Sequence, residues 1–141
     1  MYLIDTDVVS EARKSSKADP GVRAFLERAT AGRHSLFLSV ITVGELRRGV
    51  EQIRHRGSLR QAVQLESWLE YVLDEYADQI LGICPDIAQL WGAIQLPNTH
   101  SVLDRQIAAT ARIHDLTLVT RKERDFNGSG VPVFNPFTQD R

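Results

Sequence analysis

"YLIDTDVVSE" (Tyr2–Glu11) holds three apolar residues, an aspartate, and then a run of helical character. Tyr2–Ile4 reads as a short buried strand ending at Asp5. Thr6 or Asp7 is able to cap the first free N–H groups of the helix that follows. A strand passing straight into a helix is the opening half of a βαβ unit, the building block of a parallel sheet. Asp5 makes the junction more than architectural, because a carboxylate at the end of a buried strand costs free energy unless something compensates it.

The same alternation continues outward from this junction. "SSKADPG" (Ser15–Gly21) is a polar break, and Asp19-Pro20 opens a helix through "VRAFLERA" that Gly32-Arg33 ends. Ser35–Val40 is rich in β-formers. "TVGELRRGVEQIR" follows as a helix with Val43, Leu46, Val50 and Ile53 on one stripe. Gly57-Ser58 breaks the pattern before a long amphipathic helix bearing Leu65, Trp68, Leu69 and Val72. Gln79–Ile83 reads as a short strand. Asp86 precedes a helix ending before Pro97-Asn98, and "LDRQIAATARIHD" is a helix with Ile107, Ala108, Ala111 and Ile113 on its apolar side. Leu116–Thr120 is a buried strand. Val131–Asn135 is a last short one, with Pro132 suited to a sheet edge. Strands alternating with helices predict one α/β domain over residues 1–141, its parallel sheet covered on both faces.

A chain of 141 residues is long enough to bury a substantial core, and 43% apolar with 25% charged residues is ordinary globular composition. The formal net charge of −1 makes any polyanion site a local patch rather than a property of the whole molecule. The single Cys84 allows no intramolecular disulfide, lacks the spacing of a zinc site, and reads as a small buried apolar residue beside Pro85. No apolar run approaches the roughly 18–20 residues of a membrane span, and the first residues lack a signal-peptide layout. A cytoplasmic protein with no membrane association is the expectation.

In open parallel sheets, ligands bind at the carboxyl ends of the strands, near the point where strand order reverses. Four acids fall there. Asp5 ends the first strand, Glu45 sits one turn after "LSVIT", Asp104 opens the "DRQIAATA" helix, and Asp125 follows "LVTRKER". Carboxylates gathered in one cleft repel each other and raise each other's pKa unless a cation neutralises them. Hard oxygen ligands suit Mg²⁺ or Mn²⁺, and such ions activate water and hold a scissile phosphate. Taken singly, each acid has a plainer reading: Asp5, Asp7 or Asp104 as a helix cap, Glu45 as a surface partner of Arg47 or Arg48.

Taken together, "LIDTDVVSE", "LSVITVGELRRGV", "DRQIAATARIHDLTLVTRKERDF" and "VFNPF" resemble a PIN domain, above all the VapC and FitB toxins of bacterial toxin–antitoxin pairs. The resemblance runs from the first strand to the terminal "VFNPF". It implies a three-layer α/β/α fold with a short, mostly parallel central sheet flanked by helices. It implies a Mg²⁺-dependent endoribonuclease, with Mn²⁺ as a possible substitute. Asp5, Glu45 and Asp104 would be its metal-binding acids. It further implies a homodimer or larger assembly, held inactive by a small VapB- or FitA-like antitoxin through which alone DNA is reached. Two positions depart from the family pattern. Asp7 stands where Asn is usual, and Lys122 where Asn or Asp is common. Lysine cannot bind a metal, so Asp125 becomes the candidate fourth acid, acting through water, while Lys122 would offset site charge or contact phosphate.

Arg121, Lys122 and Arg124 form a basic cluster beside the proposed cleft, placed for an RNA backbone. Arg47, Arg48, Arg54, Arg56, Arg60 and His55 form a denser stretch, read equally as an RNA contact or as a solvated or docking face. Trp68, Trp91, Tyr71 and Tyr76 on amphipathic helices read as core or interface. His34, His55, His100 and His114 show no metal spacing and read as surface residues. Two other functions fit parts of the pattern. "LIDTDVV" also resembles the nucleophile motif of haloacid-dehalogenase-type phosphatases, although no adjacent acidic pair follows a late strand. A non-catalytic PIN-fold binding module with a weakened metal site is the alternative that Lys122 suggests.

Overall fold

The structure is a computed structural model that describes residues 1–94 and 102–138. Five short strands form a parallel sheet in the order β3-β2-β1-β4-β5, where β1 is Tyr2–Ile4, β2 Leu36–Ser39, β3 Ile80–Leu81, β4 Thr117–Val119 and β5 Val133–Phe134. The helices are α1 (Thr6–Ala12), α2 (Pro20–Ala31), α3 (Val40–His55), α4 (Leu59–Glu75), α5 (Pro85–Ala93) and α6 (Val102–Ile113). The expected mostly parallel α/β/α arrangement is what the chain adopts.

Side-chain alternation along the strands divides the core in two. Ile4 and Val119 face a cluster with Val8 of α1, Phe25 of α2, Val50 of α3 and Leu69 of α4. Leu3 and Leu118 face the other way, onto Ile87 of α5 and Ile107, Ala108 and Ala111 of α6. The small alanines let α6 lie close against the sheet, which brings its first turn near the end of β4.

Local chemistry sets the boundaries. Ser39 ends β2 because its hydroxyl accepts from the Ile41 N–H (3.0 Å) and caps α3, so the strand expected through Val40 stops one residue sooner. Asp19 caps α2 with Pro20 in the first turn, as expected. Gly57 at φ +89° makes the turn between α3 and α4, a conformation that Cβ-bearing residues resist. The buried side of α3 is Thr42, Leu46 and Val50, rotated slightly from the predicted stripe, with Val43 and Ile53 at its margin. Cys84 is exposed at the start of α5, contrary to its expected burial. Tyr71 is likewise exposed, while Trp68 and Tyr76 pack on the first core and Trp91 on the second. Pro97, Asn98 and His100 lie outside the described residues.

The chain runs outward from β1 through β2 to β3, then crosses back to place β4 on the other side of β1. Strand order therefore reverses between β1 and β4, and their carboxyl ends flank the cleft where a ligand belongs.

Candidate active site

The register pairs Ile4 with Val119, which sets Asp5 level with Thr120 at the end of the sheet. The Asp5 N–H continues the ladder by donating to the Val119 carbonyl at 2.9 Å. Its carboxylate is 1% exposed, with Oδ1 accepting from the Thr6 N–H at 2.8 Å and Oδ2 from the Thr120 hydroxyl at 2.7 Å. Asp5 itself, with extended φ and ψ, is thus the cap of α1. Thr6 and Asp7, expected to open that helix, do other work.

Thr6 turns its hydroxyl outward to Glu45 Oε1 (2.5 Å), with Thr42 Oγ1 3.0 Å away. This bond fixes Glu45 on the second turn of α3 and aims it at Asp5. Burial raises the Glu45 pKa, the Thr6 bond opposes the rise, and Asp5 and Asp104 add to it through like charge. The surface pairing open to Glu45 in the sequence goes elsewhere. Arg47 binds Glu51 and Glu66 instead, and Arg54 joins the same network. Much of the basic charge expected on α3 is therefore already matched by its own acids.

Asp7 reaches across to the loop after β4, its Oδ2 accepting from the Arg121 N–H at 3.1 Å. Oδ1 of the same carboxylate is buried and has no hydrogen-bond partner among the described residues. Burial, and then the charge on Asp5, push the Asp7 pKa up to about 6. A carboxylate so placed is a strained anion, and it sits where a neutral amide would be at ease.

Asp104 lies in the first turn of α6, and Lys122 closes the cluster. The Lys122 ammonium is 2.9 Å from Asp104 Oδ1 and 3.7 Å from Asp5 Oδ2. Its backbone N–H donates to the Thr120 hydroxyl at 3.1 Å. Burial acts to lower the Lys122 pKa, but Asp5, the hydrogen bond to Asp104 and Asp7 together hold it well above the ordinary lysine value. Asp5 is shifted upward, chiefly by burial, against the pull of Lys122, Thr120 and Thr6. The lysine offsets site charge, one of the two roles expected for it.

Asp125 is on a half-buried 3₁₀ turn, Glu123–Phe126, that starts just beyond Lys122. The bonds described above join Asp5, Glu45, Asp104 and Lys122, with Asp7 held beside them on the Arg121 N–H. Arg121 lays its guanidinium over the Phe137 ring, 4.5 Å from the centroid, and Arg124 is exposed. Thr6, Thr42 and Thr120 are the members that sequence reasoning missed. For Thr6 the available signal was a hydroxyl directly after a strand-end acid; nothing local marks Thr42 or Thr120.

Among the described residues, no three His, Cys, Asp or Glu side chains are already gathered as a metal site. The donor chemistry nonetheless suits a hard divalent cation: oxygens from Asp5 and Asp104, both addressed to one cationic atom, Glu45 beside them, and an unpartnered buried oxygen on Asp7. The residues fit such an ion once the lysine moves.

A strand-end aspartate, a glutamate on α3 and an aspartate at the start of α6 thus stand around the β1/β4 cleft of a parallel α/β fold. The family model of the PIN domain matches residues 2–128, and the chain belongs to this family. It is 33% identical over 142 residues to toxin FitB of Neisseria gonorrhoeae, covering 97% of this chain and 99% of that one. It is 31% identical to VapC ribonuclease Y4jK of Sinorhizobium fredii, over 97% and 98% of the two chains. The structure of FitAB bound to an IR36 DNA fragment superposes with a TM-score of 0.80 at 30% identity, covering 96% of this chain and 95% of that one. Membership in the PIN family displaces the haloacid-dehalogenase alternative. Among the described residues, no helix is long and apolar enough to cross a membrane.

Proposed function

We propose that this chain is a Mg²⁺-dependent endoribonuclease, the toxin of a toxin–antitoxin pair, acting in the cytoplasm. The observation that carries the reading is the convergence of Asp5, Glu45 and Asp104 on one cleft at the carboxyl ends of β1 and β4. The relatives named as a toxin and as a ribonuclease, similar over nearly the whole chain, support it.

Asp5, Asp104 and Glu45 would hold the divalent cation, with Asp125 contributing through water. Bound there, such an ion would lower the pKa of a coordinated water and polarise a phosphodiester. The protein's part is positional. Thr120 and the Thr6 N–H fix both oxygens of Asp5, and the Thr6 hydroxyl fixes Glu45, so neither acid has to reorganise when RNA arrives. Arg121, Lys122 and Arg124 line the exit of β4 and would meet the RNA backbone.

FitB appears in its solved complex as FitAB, bound to DNA. By that likeness we infer a FitA- or VapB-like antitoxin for this chain, a homodimer or larger toxin–antitoxin assembly, and contact with DNA through the antitoxin rather than through a chain of net charge −1.

The test is RNA cleavage with and without Mg²⁺, by the wild type and by Asp5→Asn and Asp104→Asn. Sequencing of RNA ends after brief expression would identify the cut sites. Both variants are expected to fold and to lose metal-dependent cleavage. Substantial residual cleavage by either would overturn the assignment.

A further inference from the structure

The cation at the centre of this site is part of the chain. Lys122 Nζ stands 2.9 Å from Asp104 Oδ1 and 3.7 Å from Asp5 Oδ2, bridging one carboxylate from the first strand and one from α6. Its side chain is 38% exposed while that of Asp5 is 1% exposed, so the ammonium can leave toward solvent and the aspartate cannot. Asp7 lies on the same side and adds to the attraction.

We propose that Lys122 is a built-in counter-ion of the Asp5–Asp104 pair, which a divalent metal must displace to enter. The inference rests on the metal-site reading above and concerns how that site is regulated. A metal entering here would compete with the ammonium for the Asp104 and Asp5 oxygens that the lysine holds. An ammonium beside a divalent ion is repelled strongly in a partly buried site, where charges interact at well below the dielectric constant of water. The metal-free protein is therefore a folded state in which one ammonium partly offsets the repulsion among the clustered carboxylates. Affinity for the metal is lowered by the free energy needed to break the lysine pairs. The same movement sends the ammonium to the cleft mouth, where a phosphate group could receive it. Metal entry and backbone binding are in this way coupled through one side chain.

The experiment is Mn²⁺ titration by calorimetry, without RNA, of the wild type and Lys122→Met, with thermal unfolding of both in EDTA and in Mn²⁺. The variant keeps the length of the stem and drops the charge. It is expected to bind Mn²⁺ about tenfold more tightly or better. It should also unfold at lower temperature in EDTA and gain more from Mn²⁺ than the wild type does. A folded variant with equal or weaker Mn²⁺ affinity overturns the proposal. Should Lys122→Met fail to fold, the wild type answers through the Lys122 side-chain ¹⁵N resonance, assigned by its loss in Lys122→Arg. That signal must move from an ion-paired to a freely exchanging state as Mg²⁺ saturates, and a signal that stays put at saturation overturns the proposal. Absence of metal binding by wild type and variant alike overturns the metal-site reading itself, and is distinguished by that from tight but equal binding.

Discussion

Thr120 and Asp5 stand 115 positions apart in the chain and 2.7 Å apart in the fold, the hydroxyl of one donating to the buried carboxylate of the other. The bond follows from the parallel pairing of β1 with β4, and it supplies part of what makes a strand-end charge tolerable there.

Thr120→Val keeps the shape and removes the donor. A hydrogen bond to a buried charged group is worth about 1.5–3 kcal/mol, so the variant should lose roughly that much stability in urea unfolding. Thr120→Ser should retain most of it. Equal unfolding midpoints for wild type and Thr120→Val would show that Asp5 needs no help from the hydroxyl.

Asp7 gives the site a pH dependence of known sign. Its pKa rises from 3.8 to about 6 on folding, so the native state holds a proton that the unfolded state has released. Below pH 4 both states are protonated and the group contributes nothing. Between about pH 4 and 6 stability falls as pH rises, by a total on the order of 2–3 kcal/mol. Asp7→Asn, measured in EDTA, should remove this slope and be more stable than the wild type at pH 7, with little difference at pH 4. A variant less stable than wild type at pH 7 would refute the account.

Asp19 works in the opposite direction. Burial disfavours its charge, but the hydroxyl and N–H of Thr138 and the N–H groups of Val22 and Gly21 outweigh that and hold its pKa below the usual carboxylate value. Its stabilisation is present above the unfolded pKa and disappears as pH falls through the folded one. Asp19→Asn should therefore cost stability at pH 7 and progressively less in acid, read from unfolding curves at several pH values.

Glu45→Gln preserves an acceptor for the Thr6 hydroxyl while removing the charge. Cleavage of RNA should fall by about 100-fold or more, the usual scale for losing a catalytic carboxylate, with the thermal midpoint nearly unchanged. Full activity would place Glu45 outside the chemistry.

Gly21 and Gly44 make a steric contrast. A Cβ on Gly21 would fall 2.0 Å from the Pro136 carbonyl oxygen, whereas one on Gly44, inside α3, meets nothing within 4 Å. Gly21→Ala should destabilise by about 1–3 kcal/mol or more through the forced backbone shift. Gly44→Ala should stabilise by up to about 1 kcal/mol through helix propensity. Denaturant unfolding of both variants checks the pair together.

The alternation of short apolar runs with amphipathic helices was enough to read the parallel sheet, and strand ends flanked by acids were enough to nominate Asp5, Glu45 and Asp104. What spacing could not convey was contact between distant segments. The sequence offers Asp5, Thr6 and Asp7 alike as caps of α1, but capping depends on backbone angles, and it is Asp5 that has the extended conformation of a cap. Asp7 bonds instead to the N–H of Arg121, a partner decided by register across β1 and β4. Cys84 looked apolar by residue type but lies exposed ahead of α5. Lys122 was legible as a departure from the family pattern. Its place between two aspartates depended on the packing of α6 against β4, which no local pattern expresses.

The sheet order has a consequence for synthesis. Asp5 is synthesised before β4, Thr120 and Lys122, which follow more than a hundred residues later. A nascent or prematurely terminated chain carries the first acid without its hydrogen-bond donor, its counter-ion or the neighbouring strand. The cluster can assemble only once residue 122 has been made, so any shorter fragment holds Asp5 without the arrangement built around it.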